Sequence, residues 1–277
     1  MKDDRQSAFR DAEQDARTAR GVPDTPQTRS PSYRLAFADE DFLCREELRP
    51  VRLQLELLKP EMALAEAGVE STVVLFGGAR IRPDAADPLS RFYEEARVFA
   101  REVTRMSLEG GGRDWVIATG GGPGVMEAGN RGAADAGGRS IGFNIVLPHE
   151  QAPNHHVTPE LAFNFHYFAI RKMHFLMRAR AICVFPGGFG TLDETFEALT
   201  LIQTGRMERM PFLFFGRAFW EGLIDWQAMA DAGTIARDDL ELFRYVETAD
   251  EAMALIRDWP LPRTKRDDIP GRDQRGE

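Results

Sequence analysis

Lysine is nearly missing from this chain. Of 35 basic residues in a total of 277, only Lys2, Lys59, Lys172 and Lys265 are lysines, and Lys172 alone lies inside a patterned segment. A Schiff-base enzyme built on pyridoxal phosphate needs a lysine, so Lys172 is its only candidate. Cysteine is as scarce: Cys44 and Cys183 form neither a disulfide framework nor a zinc-ligand spacing. Cys183 sits in an apolar run and reads as a small core residue. Positive charge is in deficit, with a net charge of −9, which argues against a nucleic-acid-binding surface. No apolar run approaches the roughly 20 residues of a membrane span. The first 20 residues lack the apolar stretch of a secretory signal. The expected location is the cytoplasm, with no membrane partner. No Gly-Lys-Ser/Thr occurs, so a Walker loop is excluded. Of five histidines, His149, His155 and His156 cluster without a metal-ligand spacing, and no metal or cofactor is expected.

A hydrophobic share of 43% is enough for a large core. Residues 1–36 are rich in Asp, Arg, Gln, Ser and Pro and read as a disordered arm, and residues 263–277 as a charged tail. Between them, 37–262 is expected to be one catalytic domain. From Asp39 to Ala67 apolar residues recur at helical spacing, broken by Pro50 and Pro60, which suggests short helices. Beyond that, strands and helices alternate. Strands are expected at 71–76, 115–119, 140–145, 182–185, 211–215 and 243–246, with helices over 86–107, 123–136, 166–180, 192–203, 220–229 and 249–259. Near-continuous apolar strands alternating with helices predict an α/β, Rossmann-like three-layer fold: a mostly parallel sheet with helices on both faces.

Three of the strands end in glycine-rich turns: Gly77-Gly78, Gly120–Gly124 and Pro186–Gly190. Ligands of such sheets lie at the carboxyl ends of the strands, so the three turns should converge on one crevice. Neither of the longer turns is a dinucleotide fingerprint, because Val125 and Asp193 stand where a third glycine belongs. A mononucleotide or another small phosphate ester fits better. In the third turn, Gly187, Gly188 and Gly190 can offer bare N–H groups to a phosphate. Thr191 is expected to open the helix, with Glu194 one turn further in. The same Thr191 and Glu194 also fit a capping box, in which Glu194 reaches back to the Thr191 N–H. That alternative leaves the glycines without a purpose. On the preceding helical segment, Arg171 and Lys172 stand among apolar neighbours, where they could face the phosphate. Gly122, and Glu127 after the second turn, are further candidate contacts, as are Glu150, Gln151 and Asn154 in the loop at 147–159.

Together, Gly-Gly-Gly-Pro-Gly-Val-Met-Glu at 120–127, Arg171-Lys172, and Pro-Gly-Gly-Phe-Gly-Thr-Leu-Asp-Glu at 186–194 resemble the Lonely Guy family. Its members are cytokinin riboside 5′-monophosphate phosphoribohydrolases, often mislabelled lysine decarboxylases. The likeness runs from about Ser71 to Trp259, and the longer chain resembles a bacterial, higher-oligomer branch. It implies hydrolysis of the N-glycosidic bond of a purine nucleoside 5′-monophosphate, of cytokinin type or AMP, to free base and ribose 5-phosphate. It also implies a homo-oligomer. By position, Arg171 and Glu194 match the catalytic pair, and Gly187, Gly188, Gly190 and Thr191 the phosphate cradle. Lys172, Glu150 and Thr200 match positions near the substrate. Gly77 and Gly78 belong to the first turn, which departs from the Gly-Ser pair of many relatives and continues into Ala79-Arg80. The rival reading is a non-catalytic carrier of a nucleotide or phosphate-containing cofactor, since the same cradle can bind without cleaving.

Overall fold

The computed structural model describes residues 10–83, 86–148 and 152–259. The described residues divide into two compact units, with the division in the chain between Leu58 and Lys59.

In the first unit, helix α1 (Ala12–Arg20) lies within the segment read as an arm. It buries no residue and is organised locally: the Asp11 carboxylate accepts from the Gln14 N–H, and Glu13 pairs with Arg17. Helix α2 (Glu40–Leu43) is capped by Asp39. Helix α3 (Arg49–Glu66) continues from this unit into the second. Neither proline breaks it, contrary to expectation. Pro50 lies in its first turn, where an N–H would have no partner, and Pro60 sits inside it.

The second unit is a seven-stranded sheet in the order β4-β3-β2-β1-β5-β6-β7. Its strands are β1 (Thr72–Phe76), β2 (Val116–Thr119), β3 (Ser140–Ile145), β4 (Ala162–Phe165), β5 (Ala179–Val184), β6 (Phe212–Phe215) and β7 (Arg244–Val246). Every pairing is parallel. Side chains of β1 alternate between two cores. Val73 and Leu75 pack with Phe92, Phe99 and Val103 of α4 (Arg91–Glu109), and with α5 (Val125–Asp135) and α10 (Ala249–Arg257). Val74 and Phe76 face α6 (Phe168–Met177), α7 (Phe189–Gln203), α8 (Arg217–Leu223) and α9 (Trp226–Asp231). Both faces of the sheet are therefore covered. That is why the strands read as unbroken apolar runs rather than as alternating ones.

Three differences from the sequence reading matter for the site. Strand β4 was not foreseen. Helix α6 ends at Met177 rather than Arg180, because Arg178 leaves the helix and its carbonyl accepts the Thr72 N–H at 2.8 Å. The segment read as one helix over 220–229 is two short helices, α8 and α9. No helix of the described residues is long and apolar enough to cross a membrane.

Candidate active site

The strand order reverses between β1 and β5, and parallel sheets bind ligands at such a point, beyond the carboxyl ends of the strands. The three glycine turns lie there and touch one another. The Gly78 N–H donates to the Pro186 carbonyl at 2.9 Å, joining the first turn to the third. The Val125 N–H donates to the Gly78 carbonyl at 3.2 Å, joining the second to the first. Gly124 has φ +73°, and a Cβ on it would lie 2.4 Å from the Gly78 oxygen, so only glycine fits that junction. The expected convergence on one crevice is met.

The second turn is also held from outside. Asn154 donates through Nδ2 to the carbonyls of Gly121 (3.1 Å) and Gly122 (3.0 Å) and to Asn130 Oδ1 (2.9 Å). Thr119 donates to the same Asn130 oxygen at 2.7 Å, and Asn130 Nδ2 donates to Ser140 Oγ at 3.0 Å. Asn130 and Thr119 were not singled out from sequence, since isolated polar residues in a helix and a strand carry no local signal. Asn154 does reach the crevice wall, as expected. Glu150 and Gln151 lie outside the described residues, as does His149.

Helices α5 and α7 both begin at this crevice, after Gly124 and Gly188, and neither has a side-chain cap. Their first N–H groups and the positive ends of their dipoles converge there. Helix α7 starts three residues earlier than expected, at Phe189, so Thr191 lies inside its first turn and is buried. The capping box does not form: Glu194 pairs with Arg171 instead.

The glycines of the third turn fall into two kinds. A Cβ on Gly187 would collide with Thr191 Oγ1 at 2.2 Å, so Gly187 is required by packing. At Gly188 and Gly190 a Cβ would meet nothing within 4 Å, and neither has a positive φ. Gly190 sits in a helix, where glycine costs up to about 1 kcal/mol relative to alanine. Packing within the chain does not require glycine at these two positions, and the open space leaves their backbone accessible.

Beside this cradle, Arg171 and Glu194 are almost buried, with side chains 10% and 14% exposed. Arg171 donates from Nε to the Phe143 carbonyl at 2.7 Å and from a terminal nitrogen to Glu194 Oε1 at 3.3 Å, and its guanidinium lies over the Phe175 ring. A Cβ on Gly120 would lie 2.5 Å from Arg171, which ties the pair to the second turn. Burial pushes the Glu194 carboxyl up to about 7, against the opposing pull of Arg171.

Lys172 is placed otherwise than expected. Its Nζ lies 2.7 Å from Glu197 and 3.2 Å from Asp193. Burial lowers its pKa, but the hydrogen bonds it donates to Glu197 and Asp193 outweigh this and raise it, so the amine stays protonated. A Schiff-base lysine requires the opposite shift, so Lys172 does not fit pyridoxal phosphate. Glu127 lies in the first turn of α5 and accepts from the Tyr93 hydroxyl at 3.1 Å. Thr200 is exposed, six residues beyond Glu194 along α7, which is about 9 Å along the axis, and its hydroxyl donates to the Phe196 carbonyl. The described residues contain no group of three or more His, Cys, Asp or Glu able to hold a metal ion.

Residues 126–256 match the family described as "Possible lysine decarboxylase", the Lonely Guy family of the sequence motifs. The matched stretch includes Arg171, the whole third turn and Glu194. A relative from Mycobacterium marinum, named cytokinin riboside 5′-monophosphate phosphoribohydrolase, is 29% identical over 144 residues, covering 51% of this chain and 76% of the relative. Two solved structures each align with 68% of this chain and 96% of their own. One is a molybdenum cofactor binding protein from Rippkaea orientalis (20% identity, TM-score 0.47), the other a Moco carrier protein from Chlamydomonas reinhardtii (17%, 0.46).

Proposed function

We propose that this protein hydrolyses the N-glycosidic bond of purine nucleoside 5′-monophosphates, releasing the free base and ribose 5-phosphate. The observation that carries the reading is the buried Arg171–Glu194 pair standing beside two glycines that the chain's own packing does not require. The match of residues 126–256 to the family model and the name of the Mycobacterium marinum relative support the same chemistry.

The phosphate sits on the N–H groups at the start of α7, where the helix dipole favours an anion. Its grip orients the ribose over Glu194. The bond from ribose C1′ to the base nitrogen then breaks, its electron pair leaving with the base and positive charge developing on the ribose. Ionised Glu194 stabilises that charge and orients the water that adds to C1′; the proton this water loses ends on the departing base nitrogen, giving neutral base and ribose 5-phosphate. Arg171 opposes the cost of burying that charge, and is itself anchored by its bond to the Phe143 carbonyl.

The test is incubation of the purified protein with AMP, with its N6-isopentenyl derivative and with adenosine, followed by chromatography of the bases. Free base from one or both monophosphates, and none from adenosine, is expected. Recovery of every monophosphate intact, bound but uncleaved, would replace this reading with that of a carrier.

A further inference from the structure

We propose that Arg80, at the corner of the first glycine turn, is the cation that grips the substrate phosphate. The inference rests on the nucleoside monophosphate reading above and adds a residue to that site.

A phosphate monoester carries nearly two negative charges at neutral pH, so a cation beside the backbone N–H groups strengthens the grip. The two cations of α6 do not supply it. Lys172 is held between Asp193 and Glu197, and Arg171 is held by Glu194 and the Phe143 carbonyl. Those five side chains sum to two positive and three negative charges. The α6–α7 side of the crevice is thus not cationic, although an anion must enter there.

The first turn supplies what is missing. Gly78 is pressed against the cradle: its N–H donates to the Pro186 carbonyl, and a Cβ on it would lie 3.5 Å from Gly187 Cα. The Ile81 N–H closes the turn on the Gly78 carbonyl at 3.4 Å, and the buried Ile81 side chain anchors it. Ala79 abuts the second turn at Gly124. Arg80 stands between these two anchors in the chain. It is exposed, and among the described residues it has no hydrogen bond or ion pair. An arginine there can offer a planar fork of donors to phosphate oxygens. Arg82, equally exposed and also without a partner among the described residues, provides a control of the same charge two positions away.

The experiment compares wild type, R80A, R80K and R82A as full chains. Calorimetry measures binding of ribose 5-phosphate and inorganic phosphate, and steady-state kinetics measures AMP cleavage. R80A should weaken both ligands by about tenfold or more and raise KM for AMP similarly, with kcat within about threefold, because a grip remote from the breaking bond acts alike in ground and transition states. R80K should recover part of the loss, and R82A should stay within about twofold of wild type, since it lacks the contact but changes the same net charge. Melting curves of R80A should overlay those of wild type, as expected for an exposed side chain without partners. Unchanged phosphate binding in R80A, or an equal loss in R82A, would overturn the proposal. If wild type binds phosphate through Arg80 but cleaves no nucleotide, the hydrolase reading fails and the assignment of Arg80 stands. If AMP is cleaved and R80A behaves as wild type, only the assignment fails.

Discussion

Glu194 is held between opposing effects. Burial disfavours its charge and Arg171 favours it, and the balance leaves the carboxyl at about 7 rather than in the usual carboxylate range. The proposed chemistry uses the ionised form, because positive charge develops on the ribose. kcat/KM, which reports the free enzyme, should therefore rise with pH through about 7 and level off above it. The second ionisation of the substrate phosphate, near 6, gives a separate and lower break. A kcat/KM that stays flat from about pH 6 to pH 8.5, or that falls on the alkaline side of 7, would contradict the assignment. At this scale the sequence was a partial guide. The glycines, Arg171 and Glu194 were legible because motif spacing carries them. The capture of Lys172 by Asp193 and Glu197 was not, because it depends on how α6 and α7 lie across β5.

Helix α7 shows the same division at the scale of an element. Its existence was plain from the apolar spacing after the glycine turn. Its start was misplaced, because Thr191 looks like a cap although Gly188 is the residue that leaves the strand-to-helix turn. Strand β4 went unread for a different reason: it is a four-residue edge strand with mixed burial, so it lacks the continuous apolar run that marked the others. The cradle makes a prediction that belongs to this helix. Gly190→Ala adds a methyl that no protein atom opposes, at a helical position where alanine is favoured. The melting temperature should hold or rise, while affinity for ribose 5-phosphate falls by about tenfold, as expected for losing one charge-assisted hydrogen bond. Equal affinity in wild type and variant would show that the backbone at Gly190 touches no ligand.

In the whole molecule, the parallel sheet with both faces covered followed directly from the apolar strands, and the meeting of three turns at one crevice followed from the parallel order. Several large apolar side chains of α6 and α7 stand at the surface. Phe168, Met173 and Met177 of α6 and Phe189 and Phe196 of α7 are exposed, Phe189 by 93%. Met173 and Met177 also line a groove of 890 Å³ with Leu176, Leu201, Met207 and Met210. Apolar surface of this kind is what subunit contacts cover. Light scattering at micromolar concentration should give at least twice the 31.1 kDa of one chain; a mass of one chain would contradict a homo-oligomer. The central claim concerns chemistry, and the measurement that tests it most directly is base release from AMP by wild type and by Glu194→Gln at matched nucleotide occupancy. Glutamine keeps the acceptor for Arg171 and removes only the charge. Wild type should release adenine, and the variant should bind AMP yet release base slower by about 10²-fold or more. Near wild-type release by Glu194→Gln would show that the carboxylate is structural and that the site works by another route.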